Sequence, residues 1–275
     1  MSLAKALRSK PIAAIKGGAA VEQREDLLAV EEPLELRVGG RSVAVVMRTP
    51  GHDRELAAGF LVSEGLVRER DAVLDLIRCR DESVPAEPGS EENIIDVVLA
   101  PGVEIDLSRL TRHVFTSSSC GICSRATIAA VRSQFPPIAA PLSPSRKVLA
   151  VLPDRLATAQ EGFAATGGLH ASGLFDARGV LEVAREEVGR HNALDKVIGW
   201  AFFENRLPLS GRILLVSGRV SFEIMQKALA AGIPCVAAIS APTSAAVEFA
   251  VASGQTLVGF LRGERMNVYA GTLSE

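Results

Sequence analysis

The sequence predicts an α/β protein, with a small N-terminal α+β unit followed by a C-terminal domain built on a mixed, largely parallel sheet. Three observations predict it. From residue 212 onward, strand-length apolar runs alternate with helix-length patterns: RILLV, VSFEIMQKALAAG, IPCVAAI, SAAVEFAVASG, TLVGFLR. Such alternation makes crossovers and parallel pairing. Before residue 100 the strand patterns instead come in neighbouring pairs. Between the two textures lies a Ser-, Gly- and Pro-rich stretch, ending in PPIAAPLSPSRK with four prolines, which reads as a linker. The expected divisions are an arm over 1–28, an α+β unit over 29–115, a loop, short helix and linker over 116–147, and the main domain over 148–275.

Taken in order, the elements follow from local chemistry. In ELRVGGRSVAVVM, Leu36 and Val38 precede Gly39-Gly40, and Val43, Val45 and Met47 follow with period two. That is a β-hairpin. In TPGHDRELAAGFLVSEG, Asp53 caps a helix whose apolar face is Leu56, Phe60 and Leu61, and Gly65 ends it. AVLDLIRC and NIIDVVLA are two strands around an acidic, proline-bearing loop. A helix is expected near 153–165. GGLHASGLF and VLEVAREEV form a second hairpin around DARG, and a helix runs from about 192 to 204. After the alternating segment, MNVYA closes the sheet edge.

Composition excludes several classes of function. The formal net charge of -2 gives no field that would draw nucleic acid or an anionic membrane, so any anion must be held by a local site. No run of about 18 uncharged apolar residues appears, so no transmembrane helix is expected. Lys5, Arg8, Lys10 and Lys16 break every apolar run at the start, which argues against a secretory signal. Four cysteines in 275 residues do not make a disulfide scaffold, and the cytoplasm is the expected compartment. Cys79 and Cys235 sit in apolar runs and read as core residues.

Cys120 and Cys123 form a C-x-x-C in SSSCGICSR. The spacing alone leaves half a zinc site, a dithiol redox pair and a sulfur carrier open. Zinc needs four ligands, and no second C-x-x-C or H-x3-5-H occurs. A thioredoxin-type motif belongs between a first strand and helix, not in a mid-chain Ser/Gly loop. Gly121 removes bulk beside Cys120, and Arg125 supplies positive charge nearby. A helix beginning near Ser124 would add its dipole, and this dipole and the Arg125 charge favour a thiolate.

The parallel sheet locates a second candidate site. Ligands of open α/β sheets bind beyond the carboxyl ends of the strands. Here those ends run into Ser217-Gly218-Arg219, Ser240-Ala241-Pro242-Thr243-Ser244 and Arg262-Gly263-Glu264-Arg265. The first two open helices, whose free N–H groups cradle phosphate oxygens. Arg219, Arg262 and Arg265 suit bidentate phosphate binding. Gly189-Arg190-His191-Asn192 opens a further helix nearby. The set predicts a pocket for an anionic, nucleotide-like ligand. His170 and His191 otherwise read as buried, hydrogen-bonded histidines. Glu186 and Glu187 read as a solvated or charge-paired edge, and Phe202 and Phe203 as core.

SSSCGIC, TGGLHASG, GRHNALDKVIGW, SGRVSFEIMQKALAAGIP, SAPTSAAVEFA and GFLRGERMNVYAG, with EEPLELRVGGRSVAVVMRTPGHDRELAAGFLVSEGL before them, resemble successive signatures of the FdhD family. The resemblance implies a cytidine-deaminase-like C-terminal domain and a homodimer. It also implies a sulfur-transferring activity serving formate dehydrogenase. Cys120 would accept sulfane sulfur from a cysteine desulfurase, with Cys123 assisting. The molybdenum bis(molybdopterin guanine dinucleotide) cofactor would be bound as cargo by Phe260, Leu261, Arg262, Gly263, Glu264 and Arg265. From the topology, His191, Asn192, Ser217 and Arg219 join that set. Ser124 and Arg125 stand where family members often carry Gly and Lys. Zinc-deaminase chemistry is not implied, because Ala171 and Ser172 follow His170 and no H-x-E forms. Two other readings stay open: a cofactor-binding chaperone without covalent sulfur transfer, and a dithiol oxidoreductase.

Overall fold

The structure is a computed structural model that describes residues 3–15, 17, 21–79, 93–106 and 134–275. Cys120, Cys123 and the short helix expected behind them lie outside the described residues. No helix among the described residues is long and apolar enough to cross a membrane.

The chain starts with a short helix, α1 (Leu3–Ala6), and an antiparallel ribbon of β1 (Leu7–Ala14) and β2 (Glu22–Ala29). This ribbon falls within the stretch expected as an arm. Its side chains are mostly exposed, with Ala6 and Val30 buried at its base. Next come β3 (Glu32–Val38), β4 (Arg41–Arg48), helix α2 (Asp53–Ser63), β5 (Val73–Cys79) and β6 (Ile94–Leu99). The four strands make one sheet in the order β4-β3-β6-β5. The expected β3–β4 hairpin turns at Gly39 and Gly40, both at positive φ.

The C-terminal part contains α3 (Arg146–Ala157), α4 (Glu161–Thr166), β7 (His170–Phe175), β8 (Leu181–Glu187), α5 (Arg190–Phe203), β9 (Ile213–Val216), α6 (Phe222–Ala230), β10 (Cys235–Ala238), α7 (Ser244–Ser253), β11 (Thr256–Arg262) and β12 (Arg265–Ala270). Its sheet has the order β12-β11-β10-β9-β7-β8. Strands β8 to β11 run one way, with β7 and β12 antiparallel to their neighbours. The protein is therefore of the α/β class, with a mixed sheet.

One expected helix divides. Instead of a single helix over 153–165, α3 begins at Arg146 and α4 at Glu161. The Ser145 side chain accepts a hydrogen bond from the Lys147 N–H and caps α3. Leu149, Leu152 and Leu156 then make a helical stripe that is buried against the sheet, and this packing carries the helix through Pro153. At α2 the sequence reading also differs. His52, not Asp53, occupies the cap position, at φ 57 and without a side-chain cap bond. Asp53 is buried and turned instead to Arg48, Arg78 and the Gly51 N–H.

Alternate residues of each sheet strand face opposite layers. Along β9, Leu214 and Val216 join a large core with α5, α6 and α7, while Ile213 and Leu215 join a smaller one against α3. The large core runs without a break from Leu34 and Leu36 of the four-stranded sheet, through α2, to Leu257 of the six-stranded one. The two sheets therefore share a hydrophobic interior. At its centre α2 crosses α5 almost backbone to backbone. A Cβ added at Gly59 would lie 1.8 Å from the Asp195 carbonyl oxygen, and one at Gly199 1.8 Å from that of Glu55. Only glycine fits at either position.

Candidate functional site

The parallel topology brings the sequence-predicted residues to one edge of the six-stranded sheet. His170 starts β7 and pairs with Glu187 at the end of β8, while Ser172 pairs with Val216 at the end of β9. That register sets His170, the start of α5 and Ser217-Gly218-Arg219 side by side. The neighbouring β10 and β11 run parallel to β9, so Ser240–Pro242 and the turn after Arg262 share the edge. The loops are tied to each other. Val220 N–H donates to Ala241 O at 3.1 Å, Thr243 N–H to Val220 O at 2.9 Å, and Phe260 N–H to Ser240 O at 3.1 Å.

The predicted residues divide by what their side chains already do. Ser217 is committed to the fold, with its N–H on Ala171 O and its Oγ accepting from Ala171 N–H, both at 2.9 Å. Asn192 donates to Met47 O of β4 at 2.7 Å, which makes it a link between α5 and the four-stranded sheet. Leu261 is fully buried in the core against α3. Arg219, Arg262, Gly263, Glu264 and Arg265 are exposed. Among the described residues, no carboxylate lies in ion-pair distance of Arg190, Arg219, Arg262 or Arg265.

The segment Phe260–Arg265 is a strained turn. Arg262 pairs with Arg265 across Gly263 and Glu264, and the register shifts between Gly259 and Arg262. That bulge returns Leu261 to the core and leaves Phe260 43% exposed. Phe260 sits at φ 52, a region that costs a bulky residue on the order of 1–3 kcal/mol and that concentrates at ligand clamps. Gly259 is packed under Pro242 and Tyr269, so the bulge has a rigid base.

At the other end of the edge, several polar groups converge. A Cβ on Gly218 would lie 3.3 Å from His170 Nδ1 and 3.6 Å from Arg190 Cδ. His191 Nε2 is 3.1 Å from Ser221 Oγ and 3.4 Å from Glu223 Oε2. Ser221 Oγ also caps α6 by accepting from Ile224 N–H. Serine and carboxylate meet the same imidazole nitrogen, so this is not a hydrolase triad, in which the acid must hold the other one. Burial, with the guanidiniums of Arg190 and Arg219, holds His170 below the usual imidazole range.

His191 is pushed down further, to about 4. Burial is the main cause, with Arg190, Lys227 and His170 adding to it and Glu223 opposing. Because its folded value lies below the ordinary 6.5, the unfolded chain takes up the proton first. The stability tied to neutral His191 is then complete above about pH 6.5 and is lost as pH falls toward about 4. Melts of the wild type and His191→Gln are expected to draw together by about 2 kcal/mol as pH falls from about 7.5 to about 4.5. A gap that stays constant over that range would show that the histidine protonates freely.

Beneath the edge, charged residues are buried in pairs. Lys227 Nζ lies 2.9 Å from Asp195 Oδ2, and Ser63 Oγ donates to Asp195 Oδ1 at 2.8 Å. Lys196 pairs with Glu187, which also accepts from Thr49 N–H at 2.9 Å, and Lys196 donates to Thr49 O at 2.9 Å. Glu187 is thus charge-paired, as one reading of the Glu186-Glu187 doublet expected, and Glu186 accepts from the N–H groups of Gly162 and Phe163. Sequence reasoning did not find Lys227 or Lys196, because a lysine within a helical pattern reads as solvated unless its partner is known.

Known proteins fit this arrangement. The model of the FdhD/NarQ family matches residues 29–274. The Sulfur carrier protein FdhD of Mycobacterium tuberculosis is 53% identical over 249 residues, covering 90% of each chain. Its counterpart in Streptomyces avermitilis is 52% identical over 259 residues, covering 92% of this chain and 90% of that one. A crystal structure from Desulfotalea psychrophila, provisionally assigned as a formate dehydrogenase accessory protein, superimposes with a TM-score of 0.74 over 97% of both chains at 22% identity, which shows a shared fold. The family model spans both sheets and every loop of the basic edge, and the chain belongs to the FdhD/NarQ family.

Proposed function

We propose that this protein is a sulfur carrier that supports formate dehydrogenase. The observation that carries the reading is the similarity, over nine-tenths of both chains, to proteins named Sulfur carrier protein FdhD, in a sequence whose C-x-x-C supplies a thiol. In the proposed step the Cys120 thiolate attacks the terminal sulfur of a donor persulfide held on a cysteine desulfurase. The donor S–S bond breaks, a new S–S bond forms on Cys120, and the donor leaves as a thiolate, so no external oxidant is needed. Cys123 assists the release: its thiolate attacks the inner sulfur of the Cys120 persulfide, a Cys120–Cys123 disulfide forms, and the outer sulfur leaves at the sulfide level, after which a cellular dithiol reduces the disulfide. The sulfur then passes to a molybdenum bis(molybdopterin guanine dinucleotide) held as cargo at the basic edge, with Arg219, Arg262 and Arg265 on its phosphates and Phe260 offering an aromatic face. The protein acts as a cytoplasmic homodimer, with a desulfurase and formate dehydrogenase as its partners.

Intact mass after incubation with a cysteine desulfurase and cysteine tests the carrier step. Wild type is expected to gain the mass of one sulfur atom, and Cys120→Ala to gain none. Loading that is undiminished in Cys120→Ala would refute it. The uncommitted arginines of the edge favour a second reading, a cofactor-binding chaperone. That reading predicts that a Cys120→Ala, Cys123→Ala double variant still restores formate dehydrogenase activity in cells.

A further inference from the structure

The ribbon of β1 and β2 lies before the stretch that the family model matches, residues 29–274, and sulfur carriage gives it no task. Among the described residues each of its strands has only the other as a neighbour. In an antiparallel pair, alternate N–H and C=O groups of each strand point away from the partner, so both outer edges present unpaired backbone. The two edges differ. β1 is guarded by Pro11, which has no N–H, and by Arg8 and Lys10. β2 carries neither proline nor lysine. The base of the ribbon is fixed, because Val30 N–H donates to Ala6 O at 2.8 Å and Ala29 lies against Gly168. Beyond that base, Glu22 to Leu28 are exposed except for the half-buried Asp26. Leu27 and Leu28 are 43% and 44% exposed.

The free edge of β2 is acidic. Glu22, Glu25 and Asp26 outnumber Arg24, and among the described residues no cation lies in ion-pair distance of the three carboxylates. Glu25 receives a hydroxyl, from Ser9. Alternation puts Glu22, Asp26 and Leu28 on one ribbon face and Glu25 and Leu27 on the other. A second copy of β2 fits this edge poorly. Two antiparallel strands related by a two-fold axis set one residue opposite its own copy. At full overlap that residue is Glu25 or Asp26, and like charges directly opposed are destabilising. An extended basic strand meets no such conflict on either face.

We propose that the free edge of β2 is a docking edge that takes an extended, basic segment of a partner protein as a third strand. This goes beyond sulfur carriage and does not depend on it. Main-chain hydrogen bonds hold the segment. Lysine or arginine opposite Glu22, Glu25 and Asp26, and apolar residues beside Leu27 and Leu28, select it. The third strand also brings the ribbon to the size at which a sheet becomes stable in water.

The test is calorimetric titration of the whole chain at low salt with an end-capped peptide of alternating lysine and valine, matched to the eight residues of β2. Its glutamate–valine counterpart and a form of the basic peptide N-methylated at every peptide bond are titrated beside it. Wild type is expected to bind one basic peptide, more weakly as salt rises, and neither of the other two. The Glu25→Lys, Asp26→Lys double variant is expected to bind the basic peptide about tenfold less tightly or worse. Glu22→Lys, Glu25→Lys, at two exposed positions, serves as the second variant if the first does not fold, and should weaken binding in the same way. If the basic and acidic peptides bind alike, if the N-methylated form binds as well as its parent, or if wild type binds none, the docking edge is overturned. Sedimentation of the same samples reads the competing occupant. A wild-type dimer that either double variant or the peptide splits would assign the edge to a second copy of the chain and overturn the proposal as well. Persulfide loading on Cys120 is read separately, and its outcome bears only on the carrier reading.

Discussion

Replacing Gly199 by alanine is expected to destabilise the protein by at least about 3 kcal/mol, near the upper end for an overpacked core. The added Cβ would sit 1.8 Å from the Glu55 carbonyl oxygen, 2.5 Å from its carbon and 2.7 Å from its Cα. All three are backbone atoms in α2, so no side chain can rotate away. The helices would have to part by more than an ångström along their whole contact, which pulls α2 from α5 and opens a core shared by both sheets. For a chain of this size the melting temperature should fall by about 8 °C. Gly59→Ala meets the Asp195 carbonyl in the same way and should cost a similar amount. Gly102→Ala is the control for losing a glycine, since nothing lies near its Cβ position. Its φ of 81 limits the cost to about 1 kcal/mol of backbone strain. A Gly199→Ala variant that melted with Gly102→Ala would disprove the close crossing.

Much of this architecture was legible in the chain, and the reasons differ by element. The alternation after residue 212 named β9, α6, β10, α7 and β11 because each apolar run is bounded by its own cap or turn residues, such as Ser221 and Thr243, whose side chains do cap α6 and α7. The edge carrying Ser217, Arg219 and Arg262 followed from that alternation, since parallel strands must end together. The crossing of α2 and α5 was not legible. Glycine within LAAGFL or VIGWAF reads locally as a weak helix residue, and only the partner backbone explains it. For the same reason Asp53 passed for a helix cap when it is a buried partner of Arg48 and Arg78. The division of the candidate site was only half visible. The loops were found, but that Ser217 and Asn192 serve the fold, and that the Arg190 Nε is buried without a partner among the described residues, depends on contacts between segments distant in sequence. Cys120 and Cys123 stand out by spacing alone, and the charge beside them is read from the sequence.

The basic edge stands on its buried ion pairs, and this gives the second large effect. Lys227→Met is expected to cost about 3–5 kcal/mol at pH 7, because it leaves the Asp195 carboxyl in the core without its partner and forces it to take up a proton there. Lys227 and Asp195 are each nearly fully buried, and with Ser63 they fasten α6, α5 and α2 to one another. Burial pushes Asp195 up to about 6, with Lys227 and Ser63 holding it down. Burial alone would depress Lys227, but the carboxylates of Asp195, Glu64 and Glu223 outweigh it and raise the lysine above its ordinary range. At pH 7 both groups are therefore charged. Without Lys227 the folded pKa of Asp195 rises further above its ordinary 3.8. A carboxyl raised in the folded state favours folding once protonated, so the deficit of Lys227→Met should shrink as pH falls from about 7 to about 5. Asp195→Leu alone should also be costly, since it strands the lysine. The Lys227→Met, Asp195→Leu double variant, which removes both charges, should recover about 2 kcal/mol or more relative to the sum of the single changes. Urea unfolding of the four proteins at two pH values measures the cycle. Additive single costs, or a deficit of Lys227→Met that does not change with pH, would show that the pair is not buried as a unit. Asp195 lies one helical turn after His191 on α5. Lys227→Met should therefore also loosen the start of that helix, where His191 holds Ser221 of α6.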